Sequence, residues 1–173
     1  MPVNKISFDV DVGLIKVWIE KRDKRRDEVN KFFEFIERHD KNFLVLVSEH
    51  TLNLIESWEN KVLVERLLDL FKKKAEKIVD PEDVIKDFSK KINLDFDKFT
   101  LKFSKEARIK HEDAISIIIY TLLGTEYFVT LNRKHLRNKY EEIRTNGWKY
   151  GLKIPEIMLP KEFLTFFSKR ISP

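Results

Sequence analysis

Two carboxylates stand just after a short strand-like run near the start of the chain: Lys5–Phe8 is followed by Asp9 and then by Asp11. A third, Asp113, sits in the opening turn of a long apolar segment, HEDAISIIIYTLL at 111–123, and Thr130 and Asn132 follow a second apolar run, YFVT at 127–130. Carboxylates beside hydroxyl and amide oxygens form the hard-oxygen set that Mg2+ or Mn2+ takes, with waters completing an octahedron. Each residue also has an ordinary structural use. Asp9 and Asp11 suit the cap of a following helix, Asp113 complements a helix dipole, Asn132 suits a turn, and Thr130 suits a strand-end hydroxyl bonded to local backbone. A site exists only if the fold gathers these segments.

The elements that would gather them are legible from apolar spacing. Lys5–Phe8 and the continuous run Phe43–Val47 read as central, doubly covered strands. Between them Val29, Phe32, Phe33 and Ile36 recur at i, i+3, i+4, i+7, which predicts a helix packed on a sheet and therefore a β-α-β unit. Ser48 caps a helix carrying Leu52, Ile55 and Trp58, a second helix carries Val62 to Phe71, and Asp80-Pro81-Glu82-Asp83 starts a third that runs to about Lys91. Residues 93–104 alternate irregularly and read as a loop or short irregular element. A buried helix over 111–123 stopped by Gly124, a strand at 127–130, a helix over 133–145, a last strand at 156–159 and a helix opening at Pro160 complete the chain. Strands alternating with helices imply an α/β fold, a three-layer α/β/α sandwich with a mostly parallel central sheet, as one domain over 1–173. In such a sheet the strand C-termini share one crevice, which would collect Asp9, Asp11, Thr130 and Asn132, joined by Asp113 if its helix begins at the rim.

Composition narrows the chemistry. The 173 residues contain no Cys, which removes disulfides, thiolate metal sites and cysteine nucleophiles. The four His are scattered without an i, i+4 pair, so an imidazole metal site is not indicated. No apolar run reaches the roughly 18 residues that a membrane span needs, and the N-terminal residues lack the pattern of a secretion signal, so the expected location is cytoplasmic, with no membrane partner. The chain carries a net charge of +5, and residues 131–153, with seven Lys and Arg against two Glu, account for all of it. Cations interleaved with Tyr140, Trp148 and Tyr150 suit a nucleic-acid contact surface, and equally a solvated helix with basic residues near its C-terminal end.

Taken together, four blocks resemble the PIN-domain nucleases, a family that includes the VapC-type toxins of toxin-antitoxin pairs. They are FDVDVGLI at 8–15, VSEHTLNLIE at 47–56, EDAISIIIYTLLGTEYFVTLNRKHLRN at 112–138 and KIPEIMLPKEF at 153–163. The third is the most specific: an Asp-Ala helix start, a Gly before a buried strand, then Thr-x-Asn-x-x-His-x-x-Asn. Residues 59–105 have no counterpart and form a variable helical region. The resemblance implies that Asp9 and Asp113 ligate Mg2+ or Mn2+, that Asp11 stands beside Asp9, and that Thr130 and Asn132 match a strand-end Thr-x-Asp pattern with Asn in place of Asp. It further implies RNA as substrate, contacted by Thr130, Arg133, Lys134, His135, Arg137, Asn138, Lys139 and Trp148. An antitoxin protein is a partner it suggests; Phe166 and Phe167, a pair on the amphipathic last helix, make a second copy in a homodimer a further candidate partner.

The chain departs from the family at one acid. Leu54 stands in its slot, with Glu56 two residues on, about 200° around a helix, as the available substitute. One reading is therefore a metal-dependent ribonuclease in which Asp9, Asp113, Asn132 and Glu56 do the chemistry. The other is a weakened or inactive PIN-like domain that binds RNA or a protein partner. A phosphoacceptor or nucleotide-binding α/β domain is a weaker third, since no Gly-rich phosphate loop is present.

Overall fold

The structure, a computed structural model, describes residues 3–10 and 24–171. Its strands are β1 (Asn4–Phe8), β2 (Phe43–Ser48), β3 (Lys77–Val79), β4 (Tyr127–Val129) and β5 (Glu156–Met158). The helices are α1 (Arg26–Arg38), α2 (Glu49–Glu56), α3 (Lys61–Lys74), α4 (Glu82–Ile92), α5 (Phe96–Ala107), α6 (His111–Leu122), α7 (Tyr140–Trp148) and α8 (Pro160–Ser168). All strands run parallel in the order β3-β2-β1-β4-β5, so the sheet grows outward from β1 in both directions. The expected α/β/α sandwich is the architecture found.

Period-two alternation divides the core between the two faces of the sheet. Ile6, Phe8, Val45, Val47 and Val129 pack with Phe32 and Phe33 of α1, Leu67 and Phe71 of α3, and Phe163 and Phe167 of α8. On the other face Phe128 and Ile157 meet Phe99 and Phe103 of α5, Ile117, Ile118 and Tyr120 of α6, and Ile143 of α7. Helix α7 comes close because residue 147 is Gly: a Cβ there would lie 2.5 Å from Ile154 Cγ1.

Four expectations are corrected. Residues 93–104 are mostly helix: Asn93 closes α4 in the left-handed conformation, and Asp95 caps α5 by accepting from the amides of Asp97 and Lys98. Leu94, Phe96, Leu101 and Phe103 mimic strand alternation there, while the buried set Phe99, Phe103 and Ala107 keeps helical spacing. The short edge strand β3 was not foreseen, because it is largely exposed and leaves no apolar run to read. Helix α2 ends at Glu56, short of Trp58. The helix expected over 133–145 is α-helical only from Tyr140 and is preceded by a 3-10 turn at Arg137–Lys139, while the amides of Leu136 and Arg137 both donate to the carbonyl of Asn132 and hold the residues before it in turns.

Candidate functional site

Strand order reverses at β1, which lies between β2 and β4, and a parallel sheet opens a crevice where that happens, at the strand C-termini. Asp9 is the first residue past β1. Its amide donates to the carbonyl of Val129 at 2.7 Å, carrying the β1–β4 ladder one step further. Its Oδ2 accepts a 2.7 Å hydrogen bond from Thr130 Oγ1, the first residue past β4. The same hydroxyl accepts from the amide of Asn132 at 2.9 Å, and Asn132 Oδ1 accepts from the amide of His135 at 3.1 Å. Thr130 is fully buried, with its hydroxyl proton and a lone pair both engaged, so its side chain orients Asp9. Asn132 has its oxygen committed to the turn and offers Nδ2.

Asp113 reaches this edge through α6. A helix returning into a parallel strand runs antiparallel to it, so the first turn of α6 lies at the strand C-termini. Asp113 and Tyr120, seven residues apart, share one stripe of α6, two turns from each other. Tyr120 is buried, its hydroxyl accepts from the amide of Ser48 at 3.2 Å, and it lies 2.9 Å from Thr51 Oγ1, fastening α6 to the end of β2. Burial raises the Tyr120 phenol pKa against the pull of those two hydrogen bonds, and the negative charge of Asp9 adds to the rise. Asp113 is half-buried, with Oδ2 closed to solvent.

Leu54 and Glu56 both lie on α2, whose N-terminus Ser48 caps by accepting from the amide of His50. Thr51 faces Tyr120; Leu54 lies about 60° from it around the helix and is half-buried, whereas Glu56 lies about 140° from it, exposed, at the far end of α2. The helix thus directs Thr51 and Leu54 inward and Glu56 to solvent. His50, in the first turn, has its pKa lowered by burial, opposed by the charge of Asp97. Asp11 lies outside the described residues. Among the described residues no three acidic or histidine side chains form a group that could hold a metal ion.

Three cations of the basic segment are held in ion pairs, and one of those pairs, Arg137–Glu162, draws on an acid outside the segment. Arg137 pairs with Glu162 at 2.8 Å, Lys139 with Glu142 at 3.1 Å and Arg144 with Glu141 at 2.6 Å. Arg133, Lys134, His135 and Asn138 are exposed beside the crevice. Trp148 is 59% exposed, with the Arg144 guanidinium 4.6 Å from its ring centre. The more voluminous hollow, about 670 Å3, is at the opposite edge, where Thr125, Tyr140, Tyr150 and Glu156 help line the entry to β4 and β5. Sequence reasoning missed Tyr120 and Thr51, which read as ordinary members of apolar helices. Comparison with known proteins finds no family profile and no curated protein that matches this chain.

Proposed function

We propose that the chain is a metal-dependent ribonuclease of the PIN type, acting at the crevice beside Asp9. The observation that carries this reading is the Asp9–Thr130 hydrogen bond at the reversal of strand order, with Asp113 on the helix that opens at the same edge. The four-block resemblance supports it from the sequence.

The donor chemistry fits Mg2+ or Mn2+. Such ions are commonly held by one or two carboxylates, with waters and substrate phosphate filling the other positions, so a ready-made three-acid cage is not required. Asp9 and Asp113 would hold the ion, which supplies Lewis acidity and a water of lowered pKa for attack on a phosphodiester. The chain's own residues do the rest. Thr130 and the Asp9 amide fix the Asp9 carboxylate, Asn132 Nδ2 is left to donate to a phosphate oxygen or water, and Arg133, Lys134 and His135 present positive charge and donors to the RNA backbone.

The test is cleavage of a labelled single-stranded oligoribonucleotide with and without Mn2+. Cleavage that needs the ion and falls about 10²-fold or more in Asp9→Asn and in Asp113→Asn is the expected result, on the scale lost with one preorganised electrostatic group. A second reading is favoured by Leu54 in place of an acid: a PIN-like domain that binds RNA, or a protein partner, without cutting. RNA binding with no Mn2+-dependent cleavage would establish that reading instead.

A further inference from the structure

Beyond β5 the outer face of α8 and the turn carrying Arg133 and Arg137 enclose a groove of about 580 Å3. Its floor is Met158, Leu159 and Phe166. Its walls carry five cations, Arg133, Arg137, Lys161, Lys169 and Arg170, against two acids, Glu28 and Glu162. Both acids already accept hydrogen bonds from the protein: Glu162 from Arg137 Nε and the Leu159 amide, Glu28 from the Lys161 amide. The groove therefore has a surplus of positive charge, and three of its five cations, Lys161, Lys169 and Arg170, lie outside the 131–153 segment that dominates the composition.

The helical period builds this face. Phe163 and Phe167 bury one side of α8, which leaves 161, 165 and 169, with 162, 166 and 170, as adjacent outward rows. From 161 to 170 the face is about 13 Å long, enough for more than one phosphate. The Arg170 guanidinium lies 3.5 Å from the centre of the Phe166 ring, the kind of cation–aromatic platform on which a base can stack. Phe8, Val129 and Met158 are register partners across β1, β4 and β5, and the Thr130 amide donates to the Met158 carbonyl. At about 4.8 Å per strand the groove begins about 10 Å from Asp9.

We propose that this groove is a subsite for single-stranded RNA, holding nucleotides next to the scissile phosphate with phosphates on Lys161, Lys169 and Arg133 and a base on the Phe166–Arg170 platform. The proposal rests on the ribonuclease reading for its direction along the strand, and on the groove itself for binding. Charge alone would also suit an acidic peptide; the stacking platform and the nearness of the crevice favour RNA.

The experiment measures binding of a fluorescent single-stranded oligoribonucleotide in EDTA across a range of salt, and in parallel its cleavage with Mn2+. The double variant Lys161→Ala, Lys169→Ala is expected to weaken binding about tenfold and to lower the slope of log affinity against log salt by about 1.4, two phosphate contacts at roughly 0.7 each. Phe166→Leu is expected to weaken binding severalfold with the slope unchanged, as loss of stacking requires. In cleavage both should raise KM more than they lower kcat. Unchanged RNA affinity in the double variant overturns the subsite, as does a poly-aspartate peptide that competes as tightly as RNA of equal charge. If these binding effects appear while Mn2+-dependent cleavage does not, the subsite stands and the ribonuclease reading falls.

Discussion

The two ends of the sheet carry concavities of similar size, about 580 Å3 beside the strand C-termini and about 670 Å3 at the entry to β4 and β5, yet they differ in kind. The first has surplus cations and begins about 10 Å from a carboxylate pinned by Thr130, two strand spacings away. The second is lined by Asp87, Glu126 and Glu156 against Lys91 and Lys153, with Tyr140 and Tyr150 in its walls. Volume alone would favour the second. What distinguishes the first is that backbone direction, a buried hydroxyl and excess charge converge there, as the geometry of a parallel sheet favours.

Four substitutions sharpen or break that contrast. Thr130→Val removes the hydroxyl that orients Asp9, and cleavage should fall about 10- to 100-fold, the range typical when a group supporting a metal ligand is lost. More Mn2+ should be needed for half-maximal activity, whereas Lys153→Ala at the other end should leave the rate unaltered. Equal losses at both ends would erase the distinction. Gly147→Ala places a methyl against Ile154, and urea denaturation should show a net loss of about 1 to 2 kcal/mol, overpacking outweighing the gain in helix propensity. The activity of the folded fraction should persist, because the strain falls on the hollow's side of the molecule.

The smallest effect concerns Glu162. Burial works to raise its pKa, but the hydrogen bonds from Arg137 and the Leu159 amide, with the charges of Arg137 and Arg133, bring it below the ordinary value of 4.5. A depressed carboxylate stabilises the folded state above its unfolded-state pKa and loses that contribution as pH falls through the folded-state value. With the Glu162 side chain 39% exposed, screening holds the contribution below about 1 kcal/mol. Denaturation of Glu162→Gln should thus show a small deficit at neutral pH that vanishes at acid pH; a deficit that persists there would assign Glu162 a purely packing role.

Much of this architecture could be read in advance because its signals are local. FLVLV announces a doubly covered strand, the Val29–Ile36 spacing a helix, and Asp80-Pro81 a helix start. Local signals failed where two periods overlapped, as in 93–104, and where an element has no apolar signature, as in β3. Within the site, Asp9, Asp113 and Thr130 were identifiable from their positions at strand and helix ends. The contact between Tyr120 and Thr51 was not, because it depends on how α6 lies across β2. Nor was the basic face of α8, whose cations are spread among phenylalanines that dominate its pattern.

One consequence of the topology concerns biosynthesis. The strand in the middle of the sheet is the one translated earliest, and its neighbour β4 follows more than a hundred residues later. Asp9 emerges from the ribosome long before Thr130 exists to hold it, and non-local pairing of this sort is slow to form. A nascent chain lacking β4 therefore has no assembled crevice, so whatever the crevice does can begin only once the chain has been synthesised beyond Thr130.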